Sequence, residues 1–260
     1  MKCYINTDTY KEIALKTQEE LTDICREYGI KITDDIKNAD IIFSIGGDGT
    51  FLESARVAES KEILGINCGT VGFLTEIHPK DIENTIKEIL VENYHIEKRM
   101  MLEGEIIKSN GEKIKIPQAL NEISISKNTF GVVRFDAIIN DKLINSYTAD
   151  GIIVSTPTGS TAYNLSCGGP IVEPTAEIIT LTPIAPHTIL NRSIVLSDES
   201  VVKIKITELR GDTKSYVLYD GNPIEIATGD IVEIRKSKNI TKIIKLNNQS
   251  FIDTIRENIS

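Results

Sequence analysis

Near Glu97 the hydrophobic rhythm of the chain changes, and this change limits the possible folds more than any other feature. Before it, strand-like and helix-like segments alternate. Cys3–Asn6 reads as a short strand. Tyr10–Tyr28 carries Ile13, Leu21, Ile24 and Cys25 on roughly one helical face, and Gly29 stands where a C′ glycine ends a helix. Ile41–Ile45 suits a buried parallel strand, Thr50–Ser60 a helix, and Ile63–Asn67 the next strand. Pro79 occupies the first position of a helix running through Leu90. Such alternation predicts a Rossmann-like parallel α/β domain.

From Met101 on, short alternating runs take over: Glu105–Lys108, Lys113–Ile116, Glu122–Ser126, Val132–Asn140, Ile152–Ser155, Ile194–Leu196, Val201–Thr207, Ser215–Tyr219 and Asp230–Arg235. Turn signals such as Ser109-Asn110-Gly111, Asn140-Asp141 and Asp220-Gly221-Asn222-Pro223 separate them. This predicts an all-β domain of two packed sheets, a β-sandwich. The tail Gln249–Ile259 returns to helical spacing, with Phe251, Ile252, Ile255 and Ile259 apolar, and is expected to pack back on the first domain. The expected division is residues 1–98 with 239–260 as the α/β domain and 99–238 as the β domain.

Charge and composition narrow the function. A formal net charge of −9 argues against nucleic-acid binding and against a membrane-surface protein, both of which need a positive face. It leaves room for a phosphate-bearing ligand held by backbone N–H groups, a metal ion and a few local cations. The polar start Met1–Asp8 lacks a signal-peptide core, and no apolar run reaches the roughly 18 residues of a membrane span. Cys3, Cys25, Cys68 and Cys167 form no C-x-x-C pair and read as free thiols of a cytoplasmic protein. His78, His95 and His187 form no zinc pattern. The N-x-[ST] triplets at Asn164, Asn191, Asn239 and Asn248 carry no meaning in that compartment.

Three segments carry chemistry. In Ile45-Gly46-Gly47-Asp48-Gly49-Thr50 a buried strand runs through glycines into a helix. Glycine lets a ligand approach the main chain, and the helix N-terminus offers unpaired N–H groups suited to phosphate. Thr50 and Glu53 have capping-box spacing and are expected to fix the helix start. Asp48 then stands at the carboxyl end of a parallel strand, placed to take a proton from a hydroxyl nucleophile or to bind the metal carrying nucleotide phosphates. A P-loop is excluded, since no lysine sits near the glycines, and Leu52 replaces the third glycine of a dinucleotide fingerprint. The second segment, Asp150-Gly151 through Pro170, leads from an apolar strand into a loop of hydroxyls and glycines, which can present neutral donors and acceptors to ribose, amide and base edges. The third is Asn121-Glu122, at the start of an alternating strand. Asn can read an adenine edge there, and Glu can accept from ribose hydroxyls.

Taken in order, Gly46–Thr50, Gly69–Thr75, Asn121-Glu122, Asp150-Gly151 with Thr156–Tyr163, Pro183–His187 and Asp220-Gly221 resemble the bacterial NAD kinase family. The resemblance implies an N-terminal α/β domain and a C-terminal β-sandwich with substrate between them, in a homotetramer or homodimer. It implies transfer of phosphate from ATP, or from polyphosphate, to the 2′-hydroxyl of the adenosine ribose of NAD. Asp48 would be the general base and would help hold Mg2+. Gly46, Gly47, Gly49 and Thr50 are expected against the ATP phosphates. Asp48, Gly49, Phe73, Asn121, Glu122, Asp150, Thr161, Ala162, Tyr163, Asn164, Ser166, Ala185 and Asn222 fall at positions that line the NAD site. Two departures stand out: Thr148 where the family often has a basic residue, and Asn222 where it often has Gln. A lipid kinase shares the Gly-Gly-Asp-Gly-Thr turn, but the Thr156–Tyr163 loop matches the NAD branch and no amphipathic membrane-facing helix is evident. A non-catalytic dinucleotide sensor would bind NAD without forming product, and the intact Asp48 argues against it.

Overall fold

Seven elements follow one another at the start of the chain: β1 (Lys2–Thr7), α1 (Glu12–Glu27), β2 (Lys31–Ile32), β3 (Ile41–Gly46), α2 (Asp48–Val57), β4 (Glu62–Asn67) and α3 (Ile82–Leu90). The structure, a computed structural model, describes residues 1–69, 72–128, 131–187, 189, 191–209, 213–246 and 250–259, with the backbone alone for 257–259. It divides into two units, Met1–Arg99 with Ile240–Ser260, and Met100–Asn239.

In the first unit the strands lie in the order β2-β1-β3-β4, all parallel. β3 is buried along its whole length, as a parallel strand covered on both faces must be. Phe43, Ile45, Leu64 and Ile66 from the sheet share one core with Leu21, Ile24 and Cys25 of α1 and Ile82, Ile86 and Ile89 of α3. Each such side chain, fully buried, stabilises the fold by roughly 1.5–3 kcal/mol. Ile13 departs from the expected helical face and is exposed, because the buried stripe of α1 runs through Ala14, Thr17, Leu21, Ile24 and Cys25. Gly29 ends the segment with φ +70, the left-handed conformation foreseen for it. Pro79 opens a short 3-10 turn, Pro79–Asp81, before α3 begins.

The chain continues with β5 (His95–Ile107), β6 (Lys113–Ala119), β7 (Glu122–Lys127), β8 (Val133–Ile139), β9 (Lys142–Ala149), β10 (Gly151–Ser155), α4 (Tyr163–Ser166), β11 (Ile178–Ile184), β12 (Ile194–Ser197), β13 (Val202–Leu209), β14 (Ser215–Tyr219), β15 (Asn222–Ile226), β16 (Ile231–Lys245) and α5 (Phe251–Ile259). In the second unit one antiparallel sheet runs β12-β11-β10-β7-β14-β15. Elsewhere in it, β8 lies between β9 and β13, and β13 pairs with the start of β16. Ile123, Ile152, Val154 and Val217 from the first group share a core with Phe135, Tyr147, Ile204 and Val232 from the second. Phe135 and Tyr147, opposite one another on β8 and β9, stack with ring centroids 5.5 Å apart. In the first unit, Lys242 and Ile243 pair in parallel with Glu62 and Ile63. Strands β2, β9, β11 and β15 are additions to the sequence reading, which passed over their ranges, and β5 and β16 extend well beyond the runs foreseen.

Candidate functional site

The turn after β3 sits in the first unit. α2 begins at Asp48, with Gly47 as its extended N-cap and no side-chain cap. The capping box expected from Thr50 and Glu53 is therefore absent, and the helix starts two residues earlier than foreseen. The reason is local packing. The Thr50 hydroxyl lies 2.3 Å from the point a Cβ on Gly46 would occupy, so it folds back over the strand end instead of capping. The three glycines thus serve different ends. Gly46 makes room for Thr50, whereas Gly49 has nothing within 4 Å of a would-be Cβ and Gly47 meets only the tip of one flexible side chain. Gly47, Gly49 and Thr50 line a cleft of about 320 Å³ with Asp8, Lys11 and Glu53. Gly46 is buried and is not among its lining residues.

That flexible side chain is Lys11. The sequence reading found no lysine near the glycines, and the fold corrects it: Lys11 Nζ lies 3.7 Å from the Cβ position of Gly47 and 3.4 Å from that of Gly69. Parallel pairing of β1 and β3 brings the loop after β1 beside the turn after β3, although some 35 residues separate the two in sequence.

Asp48 is half-buried in the first turn of α2. Its Oδ2 accepts the backbone N–H of Phe73 at 2.9 Å, and its Oδ1 accepts the N–H of Leu74 at 3.2 Å and the Thr75 hydroxyl at 3.4 Å. The segment can come this close because residue 72 is glycine: a Cβ there would lie 2.2 Å from Asp48 Oδ1. A carboxylate has about four lone-pair sites, so three bonds fix it in place and leave capacity for one further donor. Phe73 is thus brought to Asp48, through its main chain. Thr70 and Val71 of the same segment lie outside the described residues.

In the second unit a different set converges. Glu122 opens β7 directly after Asn121, and the Asp220 carboxylate accepts from the N–H groups of Leu120, Asn121 and Glu122 at 2.8, 2.9 and 3.2 Å. Asp220 and Gly221, with φ +43 and +83, form the tight turn between β14 and β15, as the Asp-Gly signal foretold. That Asp220 also clamps the Asn-Glu segment was not legible, since it depends on β14 pairing with β7. Asn222 turns its amide onto the carbonyls of Tyr219 and Asp220.

The hydroxyl-rich loop rests on the same segment. The Thr156 hydroxyl donates to the carbonyl of Leu120 at 2.6 Å, and a Cβ on Gly159 would lie 2.1 Å from the carbonyl oxygen of Asn121. Ser160 bonds both ways with the backbone of Val172. Asn164 is fully buried: its amide donates to the carbonyls of Ser160 and Pro170, and its oxygen accepts from Thr182 at 2.7 Å. Much of the loop's polar chemistry therefore holds the loop itself. Tyr163 and Ser166 are exposed, while Thr161 and Ala162 are half-buried. Asp150 pairs with Lys127 at 2.6 Å, a cation supplied across the β7–β10 pairing that the sequence reading did not single out. Ala185 is exposed with φ +42, a conformation costing a non-glycine residue on the order of 1 kcal/mol.

Burial sets the electrostatics here. Glu122 is 8% exposed, and its Oε2 has no hydrogen-bond partner. Burial first, then the charge of Asp220, pushes its pKa up to about 8. Burial also raises the Tyr163 hydroxyl and the Cys167 thiol. Among the described residues no group of three or more His, Cys, Asp or Glu gathers to hold a metal ion, and no helix is long and apolar enough to cross a membrane.

A parallel sheet carrying a glycine turn with a fixed carboxylate, followed in the chain by a β-rich unit bearing a stitched hydroxyl loop, makes a two-domain protein of the α/β plus β-rich kind. Residues 4–94 match the model of the ATP-NAD kinase N-terminal domain, and residues 120–246 that of the ATP-NAD kinase C-terminal domain. The chain belongs to the NAD kinase family. It is 41% identical over 238 residues to the NAD kinase of Caldanaerobacter subterraneus, covering 90% of this chain and 83% of that one. It is 36% identical over 249 residues to the NAD kinase of Acetivibrio thermocellus, covering 91% and 86%. Its fold matches a crystal structure of yeast NADH kinase complexed with NADH at TM-score 0.88 and 24% identity, over 100% of this chain and 87% of that one. It also matches an NAD kinase from Archaeoglobus fulgidus in complex with ATP at TM-score 0.79 and 24% identity, over 99% of each.

Proposed function

We propose that this chain transfers the γ-phosphoryl group of ATP to the 2′-hydroxyl of the adenosine ribose of NAD, giving NADP and ADP. The observation that carries the reading is the Asp48 carboxylate, held by the N–H groups of Phe73 and Leu74 over a glycine that leaves it room. Asp48 uses its remaining lone pair to accept the proton of the 2′-hydroxyl. The hydroxyl oxygen then bonds to the γ-phosphorus as the bond to the β,γ-bridging oxygen breaks, and ADP leaves with that electron pair. Positioning and charge neutralisation are the protein's main tasks in such a step.

The donor phosphates lie against Gly47, Gly49 and Thr50, where unpaired N–H groups and the positive end of α2 favour an anion. Gly46 contributes by seating Thr50. Of the carboxylates lining that cleft, Asp8 would be the one to hold a Mg2+ ion carried in by the donor phosphates, and the ion would supply charge neutralisation for the transfer. The NAD-binding residues are Asn121, Glu122, Asp150, Thr161, Ala162, Tyr163, Ser166, Ala185 and Asn222, with Phe73 beside Asp48. Asn164 keeps their loop in shape from beneath.

The reading extends to a Rossmann-like first domain with α5 packed back on it, a β-sandwich second domain, a homotetrameric or homodimeric assembly and a cytoplasmic setting. One experiment tests its centre: NADP formation with ATP or polyphosphate crossed with NAD or NADH, with and without Mg2+. No NADP from ATP and NAD under any condition refutes it.

A further inference from the structure

The cleft beside the glycine turn is poor in positive charge. Asp8 and Glu53 both line it, and Lys11 is the one cation among its described lining residues. A nucleoside triphosphate or a polyphosphate brings several negative charges into this space, so the cation there has a large effect on its affinity.

Lys11 is built to respond. Its ammonium hangs between the turns that end β3 and β4, 3.7 and 3.4 Å from the Cβ positions of Gly47 and Gly69. Its ion-pair partner is Asp8, at 3.4 Å, with the lysine side chain 44% exposed. Charge-assisted N–H···O bonds run nearer 2.7–2.9 Å, so this contact is loose and leaves all three ammonium donors open to a stronger acceptor.

We propose that Lys11 is the donor-binding cation of this enzyme, releasing Asp8 to bind the phosphoanhydride chain that lies over Gly47 and Gly49. The inference rests on the kinase reading above and deepens it. It assigns recognition of the donor to its phosphates, so ATP and inorganic polyphosphates share one determinant.

The test uses the full chain with Lys11→Met, Lys11→Gln and Lys11→Arg. NADP formation is followed with ATP varied at saturating NAD and with NAD varied at saturating ATP. ATP binding is measured directly by calorimetry, with inorganic tripolyphosphate as competitor. Loss of the charged contact is expected to weaken ATP and tripolyphosphate alike by about 10- to 100-fold in K11M and K11Q, with the KM for NAD within about twofold of the parent. K11R, which keeps the charge, recovers most of the loss. Parental ATP affinity in K11M and K11Q overturns the inference whatever happens to kcat. A loss confined to ATP, with tripolyphosphate unaffected, overturns the assignment to the phosphate chain. Absence of NADP formation by the parent protein is a different failure, that of the kinase reading itself.

Discussion

Replacing Glu122 by Gln isolates one buried carboxyl. The side chain is 8% exposed with Oε2 unpartnered, and burial together with Asp220 lifts its pKa from the usual 4.5 to about 8. The sign follows from linkage. Between those two values the folded chain keeps a proton that the unfolded chain has released, so stability is fully present below pH 4.5 and drains as pH rises toward 8. At roughly 1.36 kcal/mol for each pH unit separating the two values, the loss is at most about 4–5 kcal/mol across the window. About half of that falls between pH 6 and 8, a range in which the fold can be measured comfortably.

Gln has nearly the same shape and does not titrate. It leaves an amide group unpaired where Oε2 was, a cost of about 1–3 kcal/mol that does not vary with pH. The difference between parent and E122Q is therefore expected to shift in favour of the variant by roughly 2 kcal/mol from pH 6 to pH 8. Urea unfolding at four pH values measures it, and groups common to both proteins cancel in the difference. Tyr163 and Cys167, the neighbouring groups raised by burial, stay neutral over this range. A difference that stays flat from pH 5 to 8 would refute the claim that Glu122 carries a proton in the folded protein.

Three further substitutions probe the remaining contacts. Asp48→Asn is expected to lower NADP formation by about 10²–10⁴-fold while NAD still binds, as followed by turnover and by calorimetry. Gly72→Ala puts a methyl 2.2 Å from Asp48 Oδ1, so a comparable loss of turnover is expected with the melting temperature changed far less than turnover would suggest. Asp220→Ala strips three backbone N–H groups of their acceptor and is expected to cost about 2–4 kcal/mol in urea unfolding and to weaken NAD binding; unchanged stability would show the clamp to be idle.

Local signals were readable wherever one stretch of chain decides its own structure. β3 is an apolar run between turns, Gly29 ends its helix in the left-handed conformation, and Asp220-Gly221 makes the hairpin turn, all from residues adjacent in sequence. β9 escaped because its first three residues face solvent and the alternation that marks a half-buried strand starts only near its end. The helix start at Asp48 escaped for another reason: Thr50 has the chemistry of a cap, and only the fold shows that it stands inside the first turn with its hydroxyl packed against Gly46.

The candidate residues of each unit obey the same division. Asp48, Asn121, Glu122 and the hydroxyl loop could be named because each belongs to a contiguous motif, yet what positions them comes from a distance. Gly72 and Phe73 reach Asp48 from 24 and 25 residues away, Asp220 reaches Asn121 across the β7–β14 pairing, Lys127 reaches Asp150 across β7–β10, and Lys11 reaches Gly47 across β1–β3. A lysine or aspartate on a loop carries no mark of the strand its neighbour will pair with. Its role is fixed by sheet order, which the hydrophobic pattern leaves open among several arrangements. The residues proposed to meet substrate are thus legible as motifs, and the charges placed beside them are legible only once the strands are in register.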